Sequence, residues 1–174
     1  MDLQTIVCNH SAAFVGDNIF VLPNIPVDKL RNVLSSYAKQ GASAIGCGDE
    51  HALVLYDNTV FGSAKDGMLI TDRAIYAHDM AEEFCFVALE DVKKTRIVDG
   101  LGSTELHIND SLFVTLNIDP ENAVPICDIL QDVVNGGFSL CTTKVNKTES
   151  GKCLCCGAPR SAARGKCEYC DAPY

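Results

Sequence analysis

No run in this 174-residue chain comes near the roughly 20 apolar residues that a membrane-spanning helix requires. The opening Met-Asp-Leu-Gln-Thr-Ile-Val-Cys-Asn-His has neither the basic start nor the apolar stretch of a secretory signal. The sequence therefore predicts a cytoplasmic protein without membrane insertion. Basic charge is scarce: 14 Lys and Arg stand against 23 Asp and Glu, a formal net charge of -9. Such a surface repels phosphate backbones and anionic lipid. Three signatures are missing as well: the phosphate loop, the dinucleotide glycine fingerprint and the zinc-protease helix motif. Two large domains do not fit, because single domains cluster at roughly 100 to 150 residues.

What is present suits a packed core. Hydrophobic residues make up 47% of the chain and charged ones 21%, unlike the polar mix of a disordered segment. The acidity is uneven. Residues 144–174 hold six Lys or Arg and three Asp or Glu, whereas residues 1–143 hold eight against twenty. In a reducing compartment ten cysteines point to thiol chemistry or metal rather than a disulfide scaffold. Five of them fall between Cys153 and Cys170.

Residues 1–25 are mixed and partly apolar and read as an N-terminal extension packed on the domain that follows. Pro26 opens a segment in which Val27, Leu30, Val33, Leu34 and Tyr37 recur at helical spacing before Gly41, which predicts a helix from about 26 to 39. The pattern then shortens into runs bounded by Asp, Asn and Gly, as in an antiparallel meander. Seven strands are predicted: Ala52 to Tyr56, Met68 to Thr71, Ala74 to His78, Phe84 to Leu89, Thr95 to Val98, Thr104 to Ile108 and Leu112 to Leu116. Asn109-Asp110 marks the clearest hairpin, with Leu106 and Ile108 on one strand and Leu112, Val114 and Leu116 on the other forming one apolar face. Helical spacing returns at Ala123, Ile126, Cys127, Leu130, Val133 and Val134, with Asn122 placed to cap the start and Pro125 tolerated in the first turn. Residues 144–152 contain a single apolar residue and read as a linker between a main domain, 26–143, and a separate module, 153–174.

That module carries the strongest motif. Cys153 and Cys156 form one C-x-x-C and Cys167 and Cys170 another, with ten residues between the pairs. Two such knuckles bring four thiolates onto one ion in the tetrahedral arrangement that zinc prefers. The module is too small for a core of its own, so metal binding would supply its folding free energy. One structural Zn²⁺ with no open coordination position stabilises a surface and processes no substrate. Cys155, adjacent to Cys156, reads as a non-ligand thiol. The tail is similar to the zinc ribbons common at the ends of bacterial proteins, written C-x-x-C-G-A, a spacer and C-E-Y-C-G, with Asp171 standing where the second knuckle usually has glycine. Ribbons of this type serve protein and nucleic-acid contacts alike, so the resemblance implies a metal and leaves the partner open.

Seven strands followed by one amphipathic helix is the element order of the pleckstrin-homology superfold. Residues 59–76, T-V-F-G-S-A-K-D-G-M-L-I-T-D-R-A-I-Y, resemble a hairpin of bacterial pleckstrin-homology-like domains in which F-G-x-x-x-D-G-x-L-x-T recurs after an upstream helix. The resemblance covers about residues 26–135. It implies an α+β fold: a bent seven-stranded antiparallel barrel capped by its C-terminal helix, with the zinc ribbon appended. It implies no substrate. Some members of the superfold bind phosphoinositides through cations in the loop after the first strand, but here that loop offers Lys65 between Asp57 and Asp66, a poor phosphate trap. Others bind peptides by adding a strand to an open sheet edge, a mode that needs no charge.

The sequence thus predicts a non-catalytic, zinc-binding interaction or scaffold protein that recognises a protein partner. The first alternative is a nucleic-acid-associated regulator acting through the ribbon, where Arg160, Arg164 and Lys166 lie between the knuckles. The second is a cysteine-dependent enzyme or redox protein using Cys47 and His51 of the polar cluster Gly46-Cys47-Gly48-Asp49-Glu50-His51. That cluster reads more simply as a turn between a helix and a strand, with no third partner marked for the histidine. His10, His78 and His107 read as ordinary surface or half-buried residues, and Cys85 and Cys127 as small core residues.

Overall fold

The computed structural model describes residues 3–14, 16–79, 84–100 and 102–135. The linker and zinc-ribbon expectations, including the ligands Cys153, Cys156, Cys167 and Cys170, lie outside the described residues.

The order is α1 (Leu3–His10), β1 (Ile19–Val21), α2 (Val27–Ser35), α3 (Ala42–Cys47), β2 (Ala52–Asp57), β3 (Gly67–Thr71), β4 (Ala74–His78), β5 (Cys85–Ala88), β6 (Thr95–Asp99), β7 (Thr104–Ile108), β8 (Ser111–Leu116) and α4 (Pro120–Val134). Every strand pairing is antiparallel. β1 to β5 form one sheet in chain order and β6 to β8 a second. The chain is therefore α+β, and the expected seven-stranded barrel is instead, among the described residues, eight strands in two sheets. A short 3-10 turn at Leu89–Asp91 carries the chain between them, burying Leu89 and Val92, and no ladder joins β5 to β6 among the described residues. The eighth strand, β1, comes from the N-terminal stretch: Ile19, Phe20 and Val21 lie opposite Tyr56, Leu55 and Val54 of β2. No helix among the described residues is long and apolar enough to cross a membrane.

Both faces of the larger sheet are covered, which is why β2, β3 and most of β4 read as continuous apolar runs rather than alternating ones. On one face Val54, Tyr56, Met68, Ile70, Ile75 and Ala77 pack with residues from the second sheet, α4 and α1 into the main core. On the other, Leu55, Leu69, Ala74 and Tyr76 meet Val33, Leu34, Tyr37, Ala38 and Ile45 from the α2–α3 region. The helix expected over 26 to 39 ends at Ser35, and a separate short helix, α3, follows; Gly48 closes it in the left-handed conformation, with φ of 75°.

Two further expectations shift by a few residues. α4 begins at Pro120 with Asp119 at its N-cap, so Pro125 sits in the second turn and not the first. In the β7–β8 hairpin Asn109 and Asp110 both have positive φ, 53° and 67°, as a two-residue turn of this kind requires. The register then slips between Leu106 and His107, which face Val114 and Leu112 in turn. The slip leaves Phe113 unpaired and turned into the core at 9% exposure, while Leu112, expected inside, is 38% exposed.

Candidate interaction surface

β5 is the outermost strand of the larger sheet, and its inner edge pairs with β4 through Ala74–Ala88, Ile75–Val87, Tyr76–Phe86 and Ala77–Cys85. Among the described residues no strand pairs with its outer edge. Exposed edges normally carry protection such as lysine, proline, a bulge or an inward charge. Cys85-Phe86-Val87-Ala88 has no lysine, proline or charge, and its pairing with β4 runs without a bulge.

The aromatic side chains at this edge are only partly covered. Phe84 is 59% exposed and Phe86 46% exposed, beside strands whose residues are almost all buried. Phe86 leans on Tyr76 with ring centroids 5.3 Å apart, and Phe84 on His78 at 4.8 Å. His78 is fixed in turn by Asp66, whose Oδ1 lies 2.5 Å from Nδ1, and by Tyr37, stacked at 6.3 Å. Both phenyl groups thus stand on rings that are held from behind.

Tyr37 has a second peculiarity. Its side chain is buried at 2% exposure, and among the described residues its hydroxyl has no hydrogen-bond partner. Burial, reinforced by the nearby Asp57 and Asp66 carboxylates, pushes this phenol far above its ordinary range.

A polar cluster forms where α3 meets β2. Glu50 is buried at 5% exposure and accepts hydrogen bonds from Thr71 Oγ1 at 2.5 Å and from the Tyr76 hydroxyl at 3.1 Å. Burial and the Glu50 charge both raise the Tyr76 phenol. Next to it, His51 pairs through Nδ1 with Asp72 Oδ2 at 2.9 Å and donates its backbone N–H to Asp72 Oδ1 at 2.8 Å. Asp72 lies in the two-residue turn between β3 and β4. Cys47 is the last residue of α3, four positions before His51.

The remaining sequence candidates are placed as follows. His10 meets Asp132 at 3.7 Å, and His107 meets Glu105 at 2.8 Å. Cys85 and Cys127 are half-buried, and burial, with Asp128 beside it, raises the Cys127 thiol despite a contact with Thr95. Among the described residues no group of three or more His, Cys, Asp or Glu could hold a metal ion. In the loop between β2 and β3, Asp57 is held by Lys29, Asp66 by His78, and Lys65 is exposed. An open hollow of about 340 Å³ at the start of α4 is lined by polar residues including Asn18, Asp99, Ser103, Asn117 and Asp119, with no Lys or Arg among them. Neither place collects the several cationic donors that a phosphate needs.

Comparison of the chain with family models, with curated proteins and with solved structures finds no match.

Proposed function

We propose that this chain is a non-catalytic interaction protein whose α+β domain recognises a protein partner by strand addition at β5, with a C-terminal zinc ribbon as a second docking element. The observation that carries this reading is the outer edge of β5, with which no strand pairs among the described residues, flanked by the exposed phenyl groups of Phe84 and Phe86. An incoming extended segment would complete the backbone hydrogen bonding of the edge and lay alternate side chains against the phenyl pair. Main-chain bonds supply affinity in this mode and the aromatic pair supplies selectivity. The two antiparallel sheets and the C-terminal helix support a pleckstrin-homology-like reading, and some members of that superfold bind peptides at a sheet edge. In the ribbon, Cys153, Cys156, Cys167 and Cys170 would hold one Zn²⁺ as a four-thiolate set.

The test is a binding assay on the full chain with Phe84→Ser and Phe86→Lys together, both at exposed positions. The partner is first identified by native mass spectrometry of protein isolated from its own host, then purified. The expected result is at least a tenfold loss of affinity, since exposed aromatic anchors dominate interfaces of this kind, with an unchanged circular dichroism spectrum. Unaltered affinity would refute the edge.

One observation favours a second reading, cysteine-dependent chemistry at the α3–β2 junction. Asp72 orients His51 as the third member of a nucleophile–base–acid set orients its base, leaving Nε2 directed away from that bond on a side chain that is 47% exposed. Cys47 is the sole sequence candidate for the nucleophile there.

A further inference from the structure

The most exposed large apolar side chains among the described residues are neighbours, Val60 at 91% and Phe61 at 97%. They are the two central residues of a turn closed by a hydrogen bond from Gly62 N–H to the Thr59 carbonyl at 3.2 Å. Neither residue has positive φ, so the turn itself accepts most residue types; what departs from the usual pattern is that two adjacent large apolar side chains are left almost wholly in water. Such departures are expected at functional positions.

The loop beneath these two residues is held in one shape. Asp57 Oδ1 accepts hydrogen bonds from Thr59 N–H at 2.9 Å, Thr59 Oγ1 at 2.5 Å and Ala64 N–H at 3.1 Å. Ser63 N–H donates to Thr59 Oγ1 at 2.6 Å. From α2, Lys29 Nζ spans Asp57 Oδ2 and the Gly62 carbonyl at 2.6 and 2.5 Å, and Asn32 donates to the Ser63 carbonyl at 2.9 Å. Gly62 and Ala64 both adopt positive φ, 67° and 54°, to close the loop around the carboxylate. A side chain displayed on a loop already fixed in this way loses little conformational freedom on binding.

We infer that Val60 and Phe61 form a preorganised apolar anchor that inserts into an apolar pocket rimmed by Lys and Arg on a protein partner. The inference rests on the interaction reading above and extends it to the chemistry of the partner. Charge selects the occupant. Residues 1–143 carry eight Lys or Arg against twenty Asp or Glu; within the loop the two acids are paired and Lys65 is exposed, so the excess acidity belongs to the rest of the domain, against which the rim of the pocket would lie. A domain so acidic repels an anionic bilayer and a second copy of itself, and attracts a cationic rim.

The experiment places the photoreactive residue p-benzoylphenylalanine at position 61 of the full chain in host cells, with the same residue at exposed Asp110 as control. The crosslinked peptide is identified by mass spectrometry, and the purified partner is titrated with the wild-type chain and with the Val60→Ser, Phe61→Ser double variant. Support consists of a crosslink in an apolar pocket flanked by Lys or Arg, at least tenfold weaker binding by the variant, and wild-type affinity that falls between about 50 and about 500 mM salt. Crosslinks only to a second copy would overturn the inference, as would labelling no greater than at Asp110. So would Phe61-dependent sedimentation with phosphatidylcholine–phosphatidylglycerol vesicles. If the loop variant binds normally while the Phe84→Ser, Phe86→Lys variant does not, the anchor falls and the edge reading stands.

Discussion

Asp72 grips His51 through both carboxylate oxygens, Oδ1 on the backbone N–H at 2.8 Å and Oδ2 on Nδ1 at 2.9 Å. One residue thus fixes both where β2 starts and how the imidazole is turned. If the pair activates Cys47, iodoacetamide labels that thiol at neutral pH faster than Cys127, whose thiol burial raises, because the thiolate is the nucleophile. Asp72→Asn then slows Cys47 labelling several-fold while Cys127 labelling stays constant. Equal, slow labelling of both thiols in the wild-type chain, followed by peptide mass mapping, would remove the cysteine-enzyme reading.

The Lys29–Asp57 pair makes stability depend on acid. The Asp57 side chain is 2% exposed and that of Lys29 17%. Burial alone would raise the Asp57 carboxyl, but the Lys29 ammonium and the Thr59 donors outweigh it and hold it below the ordinary carboxylate value. A carboxyl lowered by folding stabilises the fold fully above its unfolded value of about 4, and that contribution is lost as pH falls from there through the folded value. Lys29→Met should therefore cost about 2–3 kcal/mol at neutral pH, the range for a buried charged group losing its partner, and less near pH 3. Urea melts at both pH values check the sign, and an equal cost at both would show that the ammonium acts only by packing.

Much of this fold can be read from the chain, and the parts that cannot share a cause. The seven strands of the meander follow from Asp, Asn and Gly punctuation, and the start of α2 from Pro26, because these signals act locally. Leu112 and Phe113 exchange places because a bulge resets the alternation, and nothing in their own residue types announces it. Ile19–Val21 is too short to read as a strand until β2 is there to pair with it. Asp72 looks like any turn aspartate until β3 and β4 carry it back beside His51, 21 residues earlier. The same holds for Phe61, an ordinary apolar letter whose exposure appears only once Asp57 and Lys29 close the loop under it.

Tyr37→Phe should leave the protein as stable as the wild type or more so, by up to about 1 kcal/mol. The substitution removes a buried hydroxyl that has no hydrogen-bond partner among the described residues and faces two carboxylates. An unsatisfied buried hydroxyl carries a desolvation cost, and deleting it while keeping the ring preserves the packing against Val33, Leu34 and His78. Chemical denaturation reads the difference directly. A loss greater than about 1 kcal/mol would reveal a bound water as the missing partner.

Metal removal should separate the two halves of the chain. Among the described residues the buried clusters run from Ile6 to Val133, and we expect them to hold together without zinc. The proposed ribbon, at 22 residues too short a stretch for a core of its own, would depend on the ion for its folding free energy. Full-length protein should release one equivalent of Zn²⁺ when its thiols are titrated with a mercurial, read with a colorimetric chelator. Cys153→Ser and Cys167→Ser should each abolish that release while leaving the thermal unfolding of the domain unchanged. Chelation should also make residues 144–174 the first cleaved by trypsin. A chain that releases no zinc would return the tail cysteines to redox chemistry, and a domain transition that falls with chelation would mean that the ribbon packs on the domain.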